Sequence, residues 1–385
     1  MTSRSWRLWI GAAAALALHL VPVWTGRTRI APPGFAVPPP SAPNTHGPAV
    51  FRQERLDPGN EVPTVHVASL CEPVPGRLAA VWYGGTREGA TDVAIFFSAR
   101  TTNAPWSRPV PVVTVDSARR DLGHYVRKVG NPVVYSDGRG RISLLFVAIA
   151  VGGWSGSSLC FKESFDQGRT WTPSRRWVLS PFFNISELVK NGPTPSRNGG
   201  WVVPVYHELF GKFPELLWLD GPGVPNRATR TRPFTGRTAF QPALVALDTE
   251  RALLLCRTAG SQRDLFVSRT LDGGRTWSAP QPTGLPNSDS GLDALRLASG
   301  RLLLAFNDTH SGRANLRLAT SRDDGVTWTR GPLIVSEPGE EFSYPFLIQS
   351  QDGFIHLAYT WKRRAIQVAT FNEAWVDSVA NPPVP

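Results

Sequence analysis

Between two apolar runs, Arg77–Tyr83 and Val93–Ser98, the stretch Gly84-Gly85-Thr86-Arg87-Glu88-Gly89-Ala90-Thr91-Asp92 gathers a guanidinium and two carboxylates in one glycine-rich loop. Groups of these types hold anions or move protons, and a loop held between buried strands is where a rigid scaffold displays them. An ordinary hairpin turn has the same composition, so these residues alone leave both readings open. A second polar pair, His207 and Glu208, follows the run Trp201–Tyr206. Other chemistries are poorly served. Cys71, Cys160 and Cys256 lie far apart in apolar segments and read as buried free thiols, no residue spacing suits a metal, and no cofactor is expected.

The formal charge of +11 raises nucleic acid or an anionic membrane as partners. Only five of the 41 basic residues are Lys, and the Arg are scattered along the chain. The charge therefore reads either as a generally basic surface or as attraction to an acidic substrate held by bidentate Arg contacts, with no nucleic-acid partner.

The elements that would position such groups are set by a pattern that returns. Ser164-Phe-Asp166-Gln-Gly168-Arg-Thr170-Trp171, Thr270-Leu-Asp272-Gly-Gly274-Arg-Thr276-Trp277 and Ser321-Arg-Asp323-Asp-Gly325-Val-Thr327-Trp328 share the form [S/T]-x-D-x-G-x-T-W. Each reads as a turn in which Asp and Ser or Thr oxygens bond nearby N–H groups, Gly permits positive φ and Trp is an apolar anchor. The first gap is about twice the second, which implies a unit of roughly 50 residues with one copy missing, a spacing typical of propeller blades.

Between the turns the chain reads as short strands: Val62–Cys71 and Arg77–Tyr83; Asn131–Tyr135 and Arg141–Val147; Trp201–Tyr206, where Pro204 implies an edge strand or a bulge; Gln241–Leu247 and Arg251–Arg257; Arg301–Phe306 and Asn315–Thr320; Tyr344–Ile348, Phe354–Tyr359 and Ala365–Thr370. Six such units predict an all-β, six-bladed propeller over residues 50–385, with a central funnel lined by the first strands. Thirty-five Gly, thirty-five Pro and fourteen Trp suit that architecture better than a helical bundle. Arg4 and Arg7 precede an apolar run from Leu8 to Trp24, so residues 1–26 read as a signal peptide or an N-terminal membrane anchor. Residues 27–49 read as a Pro-rich tether, and either form of leader would export the rest.

The three turns match the Asp-box of the sialidase (neuraminidase) superfamily, which the chain resembles from about residue 50 to its C-terminus. Trp82-Tyr-Gly-Gly85, Glu88-Gly89, Gly130-Asn-Pro132, Gln241-Pro242, Asn307-Asp308 and Tyr344-Pro345 are similar to the bacterial branch known as BNR-repeat or sialidase-like proteins. The resemblance implies an exo-acting glycosidase that grips a sugar carboxylate with Arg, attacks with a Tyr helped by a Glu, and uses a loop Asp as acid/base. A Tyr suits this task because a carboxylate nucleophile would be repelled by the carboxylate already on the anomeric carbon. By position, Arg257 and Arg313 resemble substrate-binding Arg, Tyr344 the nucleophile and Asp92 the acid; Glu88 and Gln241 join the binding set.

Two family positions differ. Val65-His66-Val67 stands where the family has its first Arg, and Tyr359-Thr360 where a Glu often supports that Arg. Phe240 and Gln241 replace the carboxylate expected beside the Tyr, with Glu208 as a substitute from the neighbouring unit. His66 then reads either as a hydrogen-bonded strand histidine or as an imidazole at the funnel floor, acting as acid/base or as a donor to a sugar. The expected partner is an acidic glycan, carrying a terminal sialic acid or a uronate. A uronate-glycan lyase or rhamnosidase-like enzyme using His and Tyr, and a non-catalytic carbohydrate-binding propeller, are the alternatives. His66, Asp92, Arg257, Arg313 and Tyr344 are expected to share one cavity on the face opposite the Trp-bearing turns.

Overall fold

The computed structural model describes residues 32–37, 47–56, 62–102, 104–179, 186–221, 228–237 and 239–380. The leader expected over residues 1–26 lies outside them, and among the described residues no helix is long and apolar enough to cross a membrane. Six antiparallel sheets, each with four strand positions, follow one another round a ring, so the all-β six-bladed propeller is the architecture observed. The inner strands are Thr64–Val74, Lys128–Ser136, the split pair Leu188–Val189 and Thr194–Pro195, Ala239–Ala246, Asp293–Arg296 and Phe342–Gln349. Each packs beside the next, and the sixth returns to the first.

The second strands Arg77–Gly85, Ile142–Ile149 and Ala252–Thr258 are buried almost end to end. They show no polar alternation because the neighbouring blades cover both faces of each sheet. Outer strands such as Val110–Val113 and Thr329–Ser336 have one covered face and carry exposed residues. The ring is closed by Phe51–Leu56, which pairs with Ala365–Phe371 and supplies the sixth blade with its outer strand. The sequence reading leaves that blade one strand short, because the polar run Phe-Arg-Gln-Glu-Arg-Leu has little apolar signal of its own. Asn372 locks the closure: its Oδ1 accepts from Val50 N–H at 3.0 Å and Trp375 N–H at 3.0 Å, and its Nδ2 donates to Pro48 O at 2.9 Å.

The repeated turns do more than staple their own hairpins. In the first, Gly168 N–H donates to Ser164 Oγ at 2.7 Å, while the N–H and hydroxyl of Thr170 donate to Asp166 at 2.8 and 2.6 Å. The second and third copies repeat these bonds. Their glycines have φ of 91°, 88° and 76°, and each lies hard against the preceding blade. A Cβ there would come within 2.2 Å of Phe97, 2.7 Å of Trp218 and 2.6 Å of Leu253, respectively. The motif thus needs Gly both for its backbone and for the closeness of the next sheet.

Two local expectations are corrected. Pro204 is neither on an edge strand nor in a bulge of its own: Trp201–His207 pairs continuously with Phe213–Leu219, and the Pro faces the interruption between Val189 and Thr194 on its other side. Part of the supposed tether is packed rather than free. Phe35 is fully buried against Trp218, Phe35 N–H donates to Thr249 O at 3.0 Å, and Ala36 N–H donates to Pro195 O at 2.9 Å. The cysteines are free and buried, as expected.

Candidate active site

The candidate site is built at the starts of the inner strands, where four of them bulge at equivalent places. Val67, Asn131, Gln241 and Tyr344 have φ of 49°, 46°, 50° and 53°, each at a shift in pairing register with the second strand. A bulge adds a residue to one strand and re-aims its side chain, and left-handed backbone at a non-Gly residue persists only where the surroundings enforce it. Three of these residues precede Pro. Each of those Pro carbonyls is gripped by a polar side chain from another blade: Pro132 O by Ser69 of the first inner strand at 3.2 Å, and, from the interruption in the third, Pro242 O by Asn191 at 2.8 Å and Pro345 O by Lys190 at 2.5 Å. The strands run away from this end toward the Asp-box turns, so the bulges and the boxes lie on opposite faces.

Tyr344 is half-buried and surrounded. The Arg313 guanidinium carbon lies 5.3 Å from its ring centroid, and the His66 ring meets it edge-on with centroids 4.7 Å apart. Arg257, on the second strand of the fourth blade, is buried; its Nε and Nη2 donate to one Asp289 oxygen at 2.9 and 2.7 Å, and its Nη1 donates to Gln241 Oε1 at 2.8 Å. The backbone carbonyl of Asp289 joins the two cations, accepting from Arg257 Nη2 at 2.6 Å and from Arg313 Nη2 at 3.3 Å.

A third guanidinium, absent from the sequence reading, completes the group. Arg363 Nε donates to Glu341 at 2.6 Å and its Nη1 to Glu88 at 2.5 Å, while Arg313 Nη1 reaches the other Glu341 oxygen at 3.2 Å. Arg363 is the middle of the three residues that join Ile355–Trp361 to Ala365–Phe371, with φ of 52° at Lys362 and 54° at Arg363 and Arg364 N–H closing on Trp361 O at 2.9 Å. That is a type I′ turn, usually built from Asn-Gly. Placing Lys-Arg there costs roughly 1 to 3 kcal/mol per residue, which is why no turn signal marks it in the sequence. Val65 N–H donates to Arg363 O at 2.9 Å, so this turn lies beside the strand from which an Arg is missing.

His66 is not open to a ligand. It is 1 % exposed, and its Nδ1 shares a 3.0 Å hydrogen bond with the Thr360 hydroxyl, which also accepts from Val67 N–H at 3.1 Å. Burial, reinforced by the charge of Arg363, lowers its pKa to about 3 against the opposing pull of Glu341 and Glu88. The imidazole is therefore neutral at physiological pH, and its 3.9 Å approach to Glu341 is not an ion pair. Of the two readings of His66, the hydrogen-bonded strand histidine fits the geometry; an exposed acid/base does not. Its partner Thr360 stands where the supporting Glu was expected.

The other candidates divide. Glu88 is in the cluster, accepting from Trp154 Nε1 at 3.2 Å as well as from Arg363; burial pushes its pKa up, but the Arg363 bond keeps it below the usual range. Burial likewise raises Glu341, and the bonds from Arg363 and Ser343 outweigh it, leaving a pKa of about 2. Gln241 is buried and spent at both ends, on Arg257 and on the Tyr206 hydroxyl at 3.0 Å, so it braces the site rather than facing it. Asp92 is exposed on its loop and turned back on Thr86, whose hydroxyl and N–H donate at 2.8 and 2.9 Å and hold the carboxyl below its usual range. Among the described residues no hydrogen bond or ion pair joins Asp92 to the Arg group, whereas ring contacts and a shared Asp289 carbonyl bring His66, Arg257, Arg313 and Tyr344 together. Glu208 lies at the edge of the cluster with its pKa raised by burial, against the charges of Lys212 and Arg257.

A cavity of about 880 Å³ opens at the opposite end of the same channel, lined by Leu70, Glu72, Ser136, Leu295, Ile348 and neighbouring residues. Among the described residues no group of Arg lines it, and Glu72 is committed to the N–H groups of Gly76 and Gln351. The converging cations and the phenol lie at the bulged end instead.

A family model described as BNR repeat-like domain matches residues 76–357. No curated protein matches the sequence. Among solved structures, a protein of unknown function from Dyadobacter fermentans is 14 % identical with a TM-score of 0.67, over 84 % of this chain and 99 % of that one. The Hadza microbial sialidase Hz136 is 18 % identical with a TM-score of 0.68, over 82 % of this chain and 67 % of that one. The intramolecular trans-sialidase from Ruminococcus gnavus, solved with oseltamivir carboxylate, is 15 % identical with a TM-score of 0.67, over 84 % and 98 %.

Proposed function

The chain belongs to the BNR repeat-like family, and from that premise we propose that the bulged end of its channel is the active site of an exo-acting glycosidase for a terminal acidic sugar, a sialic acid or a uronate. The observation that carries this reading is the convergence of Arg257, Arg313 and Arg363 around Tyr344. Arg313 and Arg363 keep part of their surface open and share Glu341, so a sugar carboxylate entering between them would meet charge-assisted donors held in place. Arg363 supplies in space the cation that His66 does not supply in sequence, and Glu88 and Glu341 take the supporting role of the missing carboxylate.

In this reading Tyr344 Oη attacks the anomeric carbon as its phenolic proton passes to solvent, and the glycosidic oxygen leaves with the proton of a carboxylic acid; water then cleaves the glycosyl–Tyr bond, its hydroxyl going to the sugar and its proton to the phenolate, and the carboxylate takes a proton back from solvent. Glu208, with its raised pKa, is better suited to hold that proton than Asp92, whose carboxyl is stabilised as the anion by Thr86. The sialidase neighbours support the fold alone, and the acidic substrate rests on the Arg group. Export rests on the N-terminal apolar run.

A non-catalytic carbohydrate-binding propeller is the second reading. It is favoured by Gln241, an amide that faces Arg257 and Tyr206 where the family has a carboxylate beside its Tyr. Incubation of the purified protein with sialosides and uronate glycosides separates the readings. Release of the free acidic sugar supports the glycosidase, an unsaturated product absorbing in the ultraviolet indicates elimination, and binding without product leaves only the second reading.

A further inference from the structure

We infer that the buried pair Lys190 and Asp293 is the positioning device for Tyr344, gripping the chain within and just beyond the bulge that turns its phenol into the site. Lys190 is 1 % exposed and spends all three of its N–H bonds inside the channel, on Asn191 Oδ1 at 2.7 Å, Leu292 O at 2.8 Å and Pro345 O at 2.5 Å. Asp293, 5 % exposed, accepts from Leu347 N–H at 2.8 Å and from Ala294 N–H at 3.0 Å. One cation thus holds the residue after Tyr344, and one anion holds the third residue after it.

Local sequence explains how Lys190 reaches the axis. The inner strand of the third blade stops at Val189 and resumes at Thr194, so Lys190 and Asn191 leave the ladder and point their side chains across the channel. Asn191 Nδ2 donates to Pro242 O, the residue after Gln241. One dipeptide therefore ties the Tyr344 bulge to the Gln241 bulge and, through Gln241, to Arg257.

The energetics point the same way. Buried opposite charges are a poor source of stability, since apolar residues of similar volume often do as well. Tyr344 has a backbone conformation that a non-Gly residue keeps only when the surroundings over-determine it, and Pro345 has no N–H with which a ladder could do so. Its carbonyl is the remaining handle, and Lys190 holds it.

The catalytic consequence rests on the proposed role of Tyr344, but the positioning itself does not, so the test has two arms. The variants are Lys190→Met and the charge-neutral double variant Lys190→Met/Asp293→Asn, which avoids leaving one buried charge unpaired. Crystal structures of whichever variants fold should show six intact blades with the Tyr344 ring moved by about 1 Å or more from His66 and Arg313. A Tyr344 left in place in the double variant overturns the inference whether or not the protein is an enzyme. Where the parent turns over an acidic glycoside, Lys190→Met should lower kcat about 100-fold with KM little changed, and should add nothing in a Tyr344→Phe background. An equal loss in both backgrounds would show a general structural role and also overturn it.

Discussion

The rings of His66 and Tyr344 meet edge to face, with centroids 4.7 Å apart and planes at 84°. The imidazole thus supports the phenol from a buried position, held on its other side by Thr360, and its burial keeps it uncharged. A residue that looks catalytic by type serves here to seat the ring of Tyr344, the proposed nucleophile.

That seating has a pH signature. A His whose pKa falls from 6.5 unfolded to about 3 folded contributes stability that is fully present above pH 6.5 and is lost as pH falls through about 3. Glu341, lowered to about 2, adds a loss in the same direction at more acid pH. Urea unfolding from pH 7 to pH 3.5 should show a steep decline in the parent and a shallower one in His66→Gln, whose amide can still bond Thr360.

Tyr344→Phe removes only the phenolic oxygen. The variant should lose at least about 1,000-fold in kcat on an acidic glycoside while its affinity for the free sugar acid stays within about threefold. Single-turnover kinetics and calorimetry measure the two quantities separately.

Arg363→Ala should weaken binding of the acidic sugar by about 10- to 100-fold, the scale of a hydrogen bond to a charged group. The methyl ester of the same sugar, which offers no carboxylate, should bind parent and variant alike. Competition titrations with the two ligands check this.

Burial raises the pKa of Glu208 and the Thr86 bonds lower that of Asp92, and this opposition separates the two as candidate acids. A carboxyl that must be protonated loses function as pH rises through its pKa, so a raised Glu208 carries activity to higher pH than a lowered Asp92 could. Glu208→Gln should abolish the alkaline limb of the kcat profile, whereas Asp92→Asn should leave its position unchanged.

The box glycines are tested by stability alone. Gly274 has φ of 88°, and a Cβ there meets Trp218 at 2.7 Å. Gly274→Ala should therefore cost roughly 2 to 4 kcal/mol in urea unfolding, the sum of backbone strain and overpacking.

The fold was legible because the three Asp-boxes repeat with their Trp, and because apolar strands between glycine turns recur at one spacing. Tyr344, Gln241 and Asn131 were marked by the residue-Pro pairs that the structure shows to be bulges. Arg363 was not legible, since a Lys-Arg pair in a turn normally made by Asn-Gly gives no turn signal, and its neighbour in space, Val65, is hundreds of residues away. The closing strand Phe51–Leu56 was missed for a related reason: its stability comes from the partner Ala365–Phe371, not from its own polar sequence. His66 was legible by position but not by state, because burial, which sets its charge, belongs to the packed ring and not to the local residues.

The most direct measurement is a crystal structure of the protein with an unsaturated sialic-acid or uronate analogue bound. The account predicts the ligand carboxylate within hydrogen-bonding distance of Arg313 and Arg363, and the ring carbon that bears it over the Tyr344 hydroxyl. A ligand seated in the cavity at the opposite end of the channel, or turned so that its carboxylate avoids these cations, would contradict it.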